Sequence, residues 1–414
     1  MRQKTTIYLA TVLLFNLFVL ICVKSSLSTQ QQVTLANEVW VDDNFNESTP
    51  GWGVTRFQTI QTGINAVTNG GTAHVANGSY YENVAVNHTV FLVGENEVST
   101  IIDGNYTSDS ALVITANGVS VEGFAIQNCI YLGEENGGIN VVSSHNNISN
   151  VYFTQNWIDI ALFGINNIIS SCNMDSSFWN IKVFANNNSI LRNHFNVSYS
   201  AITLTSANGN SIEDNTITDY WIGISLYEST QNKIVSNLAF NCSQNALRLE
   251  SYSTNNTFTR NMFSNCSQGV NADATSGANK LYHNRFINNT VQASIGGSEN
   301  KWDNDYPSGG NYWSDYSGTD ANGDFIGDTP YTIDENNADM YPFMYFDWNP
   351  CDINHDLKVD MKDIASVARA FGTIPDDPKW DPRADITGTV PLVPDGRVDM
   401  RDIGLVAKNF GKKY

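Results

Sequence analysis

Three stretches of this chain place oxygen-bearing side chains at the intervals that wrap a short loop around a hard cation. In the first, Asp352, Asn354, Asp356, Asp360 and Asp363 fall at positions 1, 3, 5, 9 and 12, and Lys358 offers its backbone carbonyl at position 7. Val359 follows as an inward apolar residue, and Leu357 stands at position 6, where such loops ordinarily carry glycine. The second stretch begins with Asp385 and Thr387, carries an insertion from Gly388 to Pro394, and ends with Asp395, the Arg397 carbonyl, Asp399 and Asp402. It has Gly396 at the turn, and a longer loop closes at modest entropic cost. The third, Asp320, Asn322, Asp324 and Asp328, keeps the first four intervals but meets Tyr331 where the twelfth ligand belongs. An Asp- and Gly-rich turn is the alternative there. Calcium is the cofactor these spacings predict.

A different chemistry is conceivable at Glu250 and Asp273. They lie 23 residues apart, one period of the repeat described next, so on stacked strands about 4.8 Å apart they would be near neighbours. Two close carboxylates can split into an acid and a base, as in a retaining glycosidase. A lyase would instead draw on Arg248 or Lys182. The bland reading is a solvated strand face with an Arg248–Glu250 ion pair, and outward acids are common on an acidic chain. Between the two lies a sugar-binding face, with Phe184 and Tyr227 against sugar rings and Thr203 and Asn271 supplying hydrogen bonds.

The elements that position these residues are repeats. Segments starting at Ile169, Ile190, Ile212, Ile234, Phe258 and Leu281 are spaced by 21, 22, 22, 24 and 23 residues. Each opens apolar. The fourth position is Cys172, Asn193, Asn215, Asn237, Asn261 or Asn284, and an apolar residue follows two later. Each then continues into a short strand of period two, such as Ile181 to Val183 or Ala246 to Leu249. Alternation turns one strand face inward, a single repeat cannot bury that face alone, and stacking shares a core. The asparagines at each turn can bond those above and below. One coil near Phe153 reads as irregular, only 16 residues before Ile169.

On these repeats the chain resembles the pectin-lyase-like right-handed parallel β-helix superfamily, over roughly residues 38–300. Phe57 to Val67 reads as an amphipathic capping helix, and Gly70–Val75 with Gly78–Glu82 resembles the opening coil. Many archaeal surface proteins look like this. So do the β-helix proteins linked to copper-site assembly in nitrous oxide reductase, although His74, His88, His145, His194, His283 and His355 show no pair at ligand spacing. The aromatic, Gly- and Asp-rich stretch 301–348 is similar to segments that close such solenoids. Residues 350–414 resemble a type I dockerin. Val359 to Gly372 recurs as Val398 to Gly411, offset by 39 residues, as two loop–helix units. That resemblance implies a cohesin-like partner met through Met361, Lys362, Met400 and Arg401. The usual small hydroxyl residues are absent there, which points away from a standard cellulosomal cohesin.

The predicted class is therefore mainly β, a parallel β-helix followed by a small α-helical, paired-calcium-loop module. A basic start (Arg2, Lys4), an apolar run from Ile7 to Val23 and small residues at Ser25, Ser26 and Ser28 read as an export signal over 1–28. An uncleaved N-terminal anchor is the alternative and the one route to a membrane. Eleven glycosylation sequons begin at Asn46, Asn77, Asn87, Asn105, Asn147, Asn187, Asn196, Asn241, Asn255, Asn265 and Asn288. They favour a secreted or cell-surface glycoprotein, although asparagine-rich solenoid turns produce such matches by chance. The formal charge of −20 excludes nucleic acid as a partner. Few cysteines argue against a disulfide scaffold; only Cys242 and Cys266, in corresponding turns, could pair. Three functions stay open: a carbohydrate-active lyase or hydrolase, a non-catalytic glycan or surface binder, and a structural or adhesion component.

Overall fold

The structure, a computed structural model, describes residues 35–412 except 109, 133–135, 323, 345–350, 355–357, 376 and 389–394. The expected signal segment 1–28, Asp356 and Leu357 lie outside the described residues.

A 29-stranded sheet winds into a parallel β-helix of about 10 turns. One coil shows the plan: strands Ile168–Ser170, Asn173–Asp175 and Trp179–Val183 form three faces. Each pairs in parallel with the same strand one coil on, through Ile169↔Ile190, Met174↔Phe195 and Ile181↔Ile202. The inward residues are those the alternation marks. Ile169, Ile190, Ile212, Ile234 and Phe258 line one face, Met174, Phe195, Ile217 and Phe263 the second, and Ile181, Ile202, Ile224, Leu247 and Val270 the third, all fully buried. Each such side chain contributes about 1.5–3 kcal/mol on leaving water. The coil at Phe153 is regular after all. Ile148 pairs with Ile169 and Phe153 with Met174, so Phe153 belongs to the second face, and the 16-residue interval compared two different faces.

The corners follow one rule. A residue with left-handed backbone precedes a residue whose side chain turns into the coil. At one corner Arg192, Asp214, Ser236, Arg260 and His283 take φ of 54–58°. The next residues, Asn193, Asn215, Asn237, Asn261 and Asn284, are all buried. Each backbone N–H of this series, from Cys172 onward, donates to the Oδ1 of the next asparagine at 2.9–3.0 Å. Each asparagine Nδ2 in turn satisfies a main-chain carbonyl, as Asn237 does that of Ile212 at 2.8 Å. A second ladder, absent from the sequence reading, runs Asn146, Asn167, Asn188, Asn210, Asn232, Asn256, Asn279 and Asn300 at 2.8–3.0 Å. Both satisfy amides that a buried corner would otherwise leave bare. The left-handed position favours asparagine, and the sequon residues Asn105, Asn187, Asn241, Asn255, Asn265 and Asn288 occupy such positions. Turn geometry alone therefore accounts for their residue type.

Both ends are closed. At the start, helix α1 (Ile60–Ala66) lies against strand Ala36–Val41 so closely that a Cβ on Gly63 would meet Val41 Cγ2 at 2.5 Å. Glu82 accepts the Ile60 and Gln61 N–H groups at 2.7 and 3.0 Å. At the far end the strands run past residue 300, because Tyr312–Trp313 pairs with Arg285–Ile287. Asn337 then ends one ladder by accepting the Asn300 N–H at 2.9 Å, and Asp339 ends the other by accepting that of Asn311 at 2.6 Å. Trp313 donates its indole N–H to Asp339 at 2.9 Å and stacks between Phe286 and Tyr331 at 4.3 and 4.2 Å.

A buried polar cluster centred on Asp159 interrupts the core. Asp159 is fully buried and accepts from Asn156 Nδ2 (2.9 Å), Ser177 Oγ (2.7 Å) and Asn180 Nδ2 (2.6 Å). Tyr220 reaches back across an intervening coil to bond Asn180 Oδ1 at 2.6 Å. Burial pushes the Asp159 carboxyl up to about 7 despite its three donors.

Two outcomes follow from this architecture. Asn237→Ala strips an acceptor from the Asn215 N–H and a donor from the Ile212 carbonyl, and should cost about 2–5 kcal/mol, read as a lowered unfolding midpoint. Asp159 binds its proton more tightly folded than unfolded, so its stabilising contribution is complete below about pH 4 and is lost as pH rises through about 7. The thermal midpoint should fall between pH 5 and 8, and Asp159→Asn should flatten that slope. Asp339, also raised to about 7 by burial, supplies the residue of the slope.

Candidate functional site

The third face projects the residues singled out for sugar chemistry. Lys182, Thr203, Ser225, Arg248 and Asn271 align coil by coil, and Thr205, Tyr227 and Glu250 form the neighbouring column. Glu250 forms an ion pair with Arg248. Asp273 lies just beyond its strand and caps a turn. Its Oδ2 accepts the Ser251 N–H at 2.7 Å, and its Oδ1 the Thr275 N–H and hydroxyl at 3.0 and 2.8 Å. Burial pushes its carboxyl upward, but these bonds outweigh it and hold the group below the usual aspartate range. Asp273 is thus held as an anion in a turn, while Glu250 faces a guanidinium. Tyr227 is exposed and Asn271 half-buried. Thr203 is nearly buried, 3.0 Å from the Ser200 hydroxyl, and Phe184 stacks on Phe163 at 4.9 Å.

Beside this face, at the corner leading into it, runs a stripe of aromatic side chains that the sequence reading did not single out. Tyr131, Trp157, Phe178, Tyr199 and Trp221 stand on five successive coils, and all but the half-buried Tyr199 are exposed. Trp157 and Phe178 stack at 4.4 Å and 14°, Phe178 and Tyr199 at 5.0 Å and 9°, while Tyr131 tilts against Trp157 by 38°. Trp179 meets Phe178 and Tyr199 edge-on, and the Lys182 ammonium lies 4.7 Å over its ring. An open groove of about 440 Å³ flanks the stripe, lined by Tyr106, Tyr131, Gln155, Trp157, Ser176 and Phe178. The signal was present as spacings of 26, 21, 21 and 22 residues. Tyr131, Trp157 and Phe178 fall in turns, and Tyr199 and Trp221 lie in long strands that run through the same corner, ahead of the alternating segments from which outward residues were chosen.

The C-terminal region is built from two like halves. Helices α2 (Met361–Ala370) and α3 (Met400–Lys408) each start with a reciprocal cap, Asp360 with Asp363 and Asp399 with Asp402. Gly372 N–H donates to Val398 and Gly411 N–H to Val359, both at 2.8 Å. Val398 N–H returns to Thr373 at 3.2 Å and Val359 N–H to Lys412 at 3.0 Å. These bonds repeat at the 39-residue offset, so the halves are related by an approximate twofold. Val359, Val367, Val398 and Val406 share their core. Met361 and Met400 are 63% and 65% exposed at symmetric positions, beside exposed Lys362 and Arg401.

The predicted calcium ligands divide by burial. Asp352, Asp363, Asp385 and Asp402 lie inside the loops, at most 4% exposed, with Thr387 at 6%. Asp363 accepts the Asn354 N–H at 3.1 Å, and Asp402 those of Ile386 and Thr387 at 2.9 Å. Asp385 accepts the Gly396 and Asp395 N–H groups at 2.8 and 3.2 Å. Burial nonetheless lifts its carboxyl, aided by Asp402 and Asp395. Asp395 and Asp399 turn to the Arg401 guanidinium at 2.7 and 2.5 Å. Lys358 and Arg397, expected to give carbonyls, extend their side chains into solvent. In the third stretch Asp320 accepts the Asp324 and Phe325 N–H groups at 3.2 and 2.9 Å, Asn322 that of Asp324 at 3.0 Å, and Asp328 that of Ala321 at 2.6 Å. Among the described residues no three His, Cys, Asp or Glu side chains converge as a metal site; the loop carboxylates answer backbone amides instead. Cys242 and Cys266, stacked in register, are buried free thiols, and the Cys242 N–H lies 3.2 Å from Cys266 Sγ.

This geometry defines a parallel β-helix solenoid. In fold it is similar to pectate lyase Pel9A, with a TM-score of 0.51 at 12% identity over 66% of this chain and 82% of that one. A polysaccharide lyase of the PL6 family from Pseudopedobacter saltans (0.36, 13%, 62% and 92%) and the A-module of a mannuronan C-5 epimerase from Azotobacter vinelandii (0.35, 11%, 58% and 92%) lie further off. No curated protein matches in sequence. The chain belongs to the family described as periplasmic copper-binding protein (NosD), whose profile matches residues 61–247 and 166–318. The described residues do not fit a copper site. His74 stacks on Trp40, His145 bonds Asn166, and His283 is buried against the Ser308 carbonyl at 2.7 Å, its basicity lowered by burial to about 4.

Proposed function

We propose that this protein is an exported, envelope-associated glycan binder whose β-helix holds the sugar and whose C-terminal module fastens it to a protein partner. The aromatic stripe carries the reading. It joins exposed rings to the polar outward face of the same coils, the pairing of apolar surface with a few polar groups that defines a ligand site. The Glu250–Arg248 pair and the turn-capping role of Asp273 favour binding over hydrolysis or elimination. The family's periplasmic description and the N-terminal apolar run agree with export.

The module is assigned a calcium-dependent, dockerin-like role toward a cohesin-like domain. Four carboxylates buried beneath two symmetric loops are costly without a cation, and the exposed Met361–Lys362 and Met400–Arg401 pairs offer the partner an apolar and basic surface. The loop at Asp320 completes the proposed calcium set, and Asp356, which lies outside the described residues, is assigned to the first loop by its spacing alone.

Affinity electrophoresis of the full chain through gels containing soluble polysaccharides tests the first half. Retardation is expected, and Trp157→Ala should weaken it about tenfold or more, as for a packed aromatic anchor. Calcium titration of the full chain tests the second. Saturable uptake should disappear in the Asp363→Asn, Asp402→Asn double variant, and uptake unchanged by it would remove the module's metal role.

A further inference from the structure

The substrate class of the stripe can be narrowed, taking the glycan-binding reading as its basis. We propose that the stripe receives an uncharged linear polysaccharide laid along the solenoid axis, about five sugars long, and rejects the polyuronates on which proteins of similar fold act.

The direction follows from the spacing. Successive coils advance about 4.8 Å, close to the advance of one sugar in an extended β-1,4-linked chain. A polymer parallel to the axis therefore meets equivalent rings from Trp157 to Trp221, with Tyr131, one residue past the equivalent position, tilted against the first of them, whereas one lying along a strand would cross the stripe once. The stripe also has an end. The residues that continue the column beyond Trp221 are Gln244 and then Ser267, each bonded to the coil before at the same corner, so ring contacts stop after five coils.

The charge class follows from what flanks the rings. Because Trp157, Phe178 and Tyr199 stack face to face, they offer the ligand a continuous row of edges. Ring edges carry partial positive charge, which suits the hydroxyl and ring oxygens of a sugar laid against them. A polyuronate would bring one carboxylate per coil and needs a cation at the same interval. Between Tyr131 and Glu250 the chain has only Lys182, Arg192, Lys233 and Arg248 as cations. Lys182 covers the Trp179 ring, Arg248 faces Glu250, and Arg192 and Lys233 belong to the strands and corner of another face. Asp159, two residues from Trp157, is sealed in the core, while Asp219, two residues from Trp221, is exposed and places negative charge at the far end of the stripe. A net charge of −20 adds repulsion at longer range.

The test is calorimetric titration of the full-length protein with oligomers of two to seven units at low and high salt. The neutral probes are β-1,4-linked glucose, mannose and xylose oligomers, and the charged probes are galacturonate oligomers. The expected result is binding by at least one neutral series. Its affinity should rise to about five units and then level, change little with salt, and fall at least tenfold in both Trp157→Ala and Trp221→Ala. Galacturonate binding that is tighter than neutral binding and weakened by salt would overturn the charge assignment while leaving a glycan binder. Affinity independent of length, or unaffected by both substitutions, would overturn the axial placement. Failure of every series, neutral and charged, would remove the glycan-binding reading itself.

Discussion

Everything in this molecule depends on how it satisfies the backbone where the chain turns. A coil that closes on itself every twenty-odd residues must bury corners, and a buried corner leaves amides without partners. The inward asparagines resolve this by accepting a main-chain N–H from the preceding coil and donating to a carbonyl that would otherwise be bare. The interaction is short-ranged and repetitive. It fixes each coil directly above the last, and with that the register of all three faces.

That register sets the outer surface. At the corner entering the third face, the residues turned into the coil are Asn156, Ser177, Ser198 and Tyr220, and the next residues along the chain are Trp157, Phe178, Tyr199 and Trp221. The inward residue determines where its neighbour emerges, so the rings line up because the corner is fixed, and their mutual stacking then adds to it. The same economy appears in the C-terminal region, where duplicated loop–helix halves bond each other through equivalent amides and bury equivalent aspartates. In both parts repetition of one local solution shapes the outer surface.

The fold was largely legible because its two strongest signals are periodic. The frame from Ile169 to Leu281 and its asparagine column locate one corner, and alternation alone places Tyr227 beside Glu250. Other features escaped for identifiable reasons. The Asn146–Asn300 ladder recurs as regularly, but it lies in a turn the chosen frame did not align. The aromatic stripe was hidden likewise, since period-two reasoning applies within strands and these residues follow a left-handed corner. Asp273 was placed on the outward column by counting, yet its oxygens answer the amides of a turn, which depends on backbone direction beyond the strand end. The aspartate spacing of the C-terminal loops was visible in the sequence, whereas the burial of Asp352, Asp363, Asp385 and Asp402 depends on how the two halves pack and was not.

The terminal segment has a consequence for how such proteins change size. Asn337 and Asp339 complete two ladders at once, while Trp302 and Trp313 seal the space between them. A lid with two fixed anchor points fits only a cylinder that ends at one angular position. Lineages can therefore lengthen or shorten the solenoid by duplicating or deleting a whole winding beneath the lid, but not by a fraction of one. Body length is quantised, and the reach of the stripe along the axis can evolve only in the same steps.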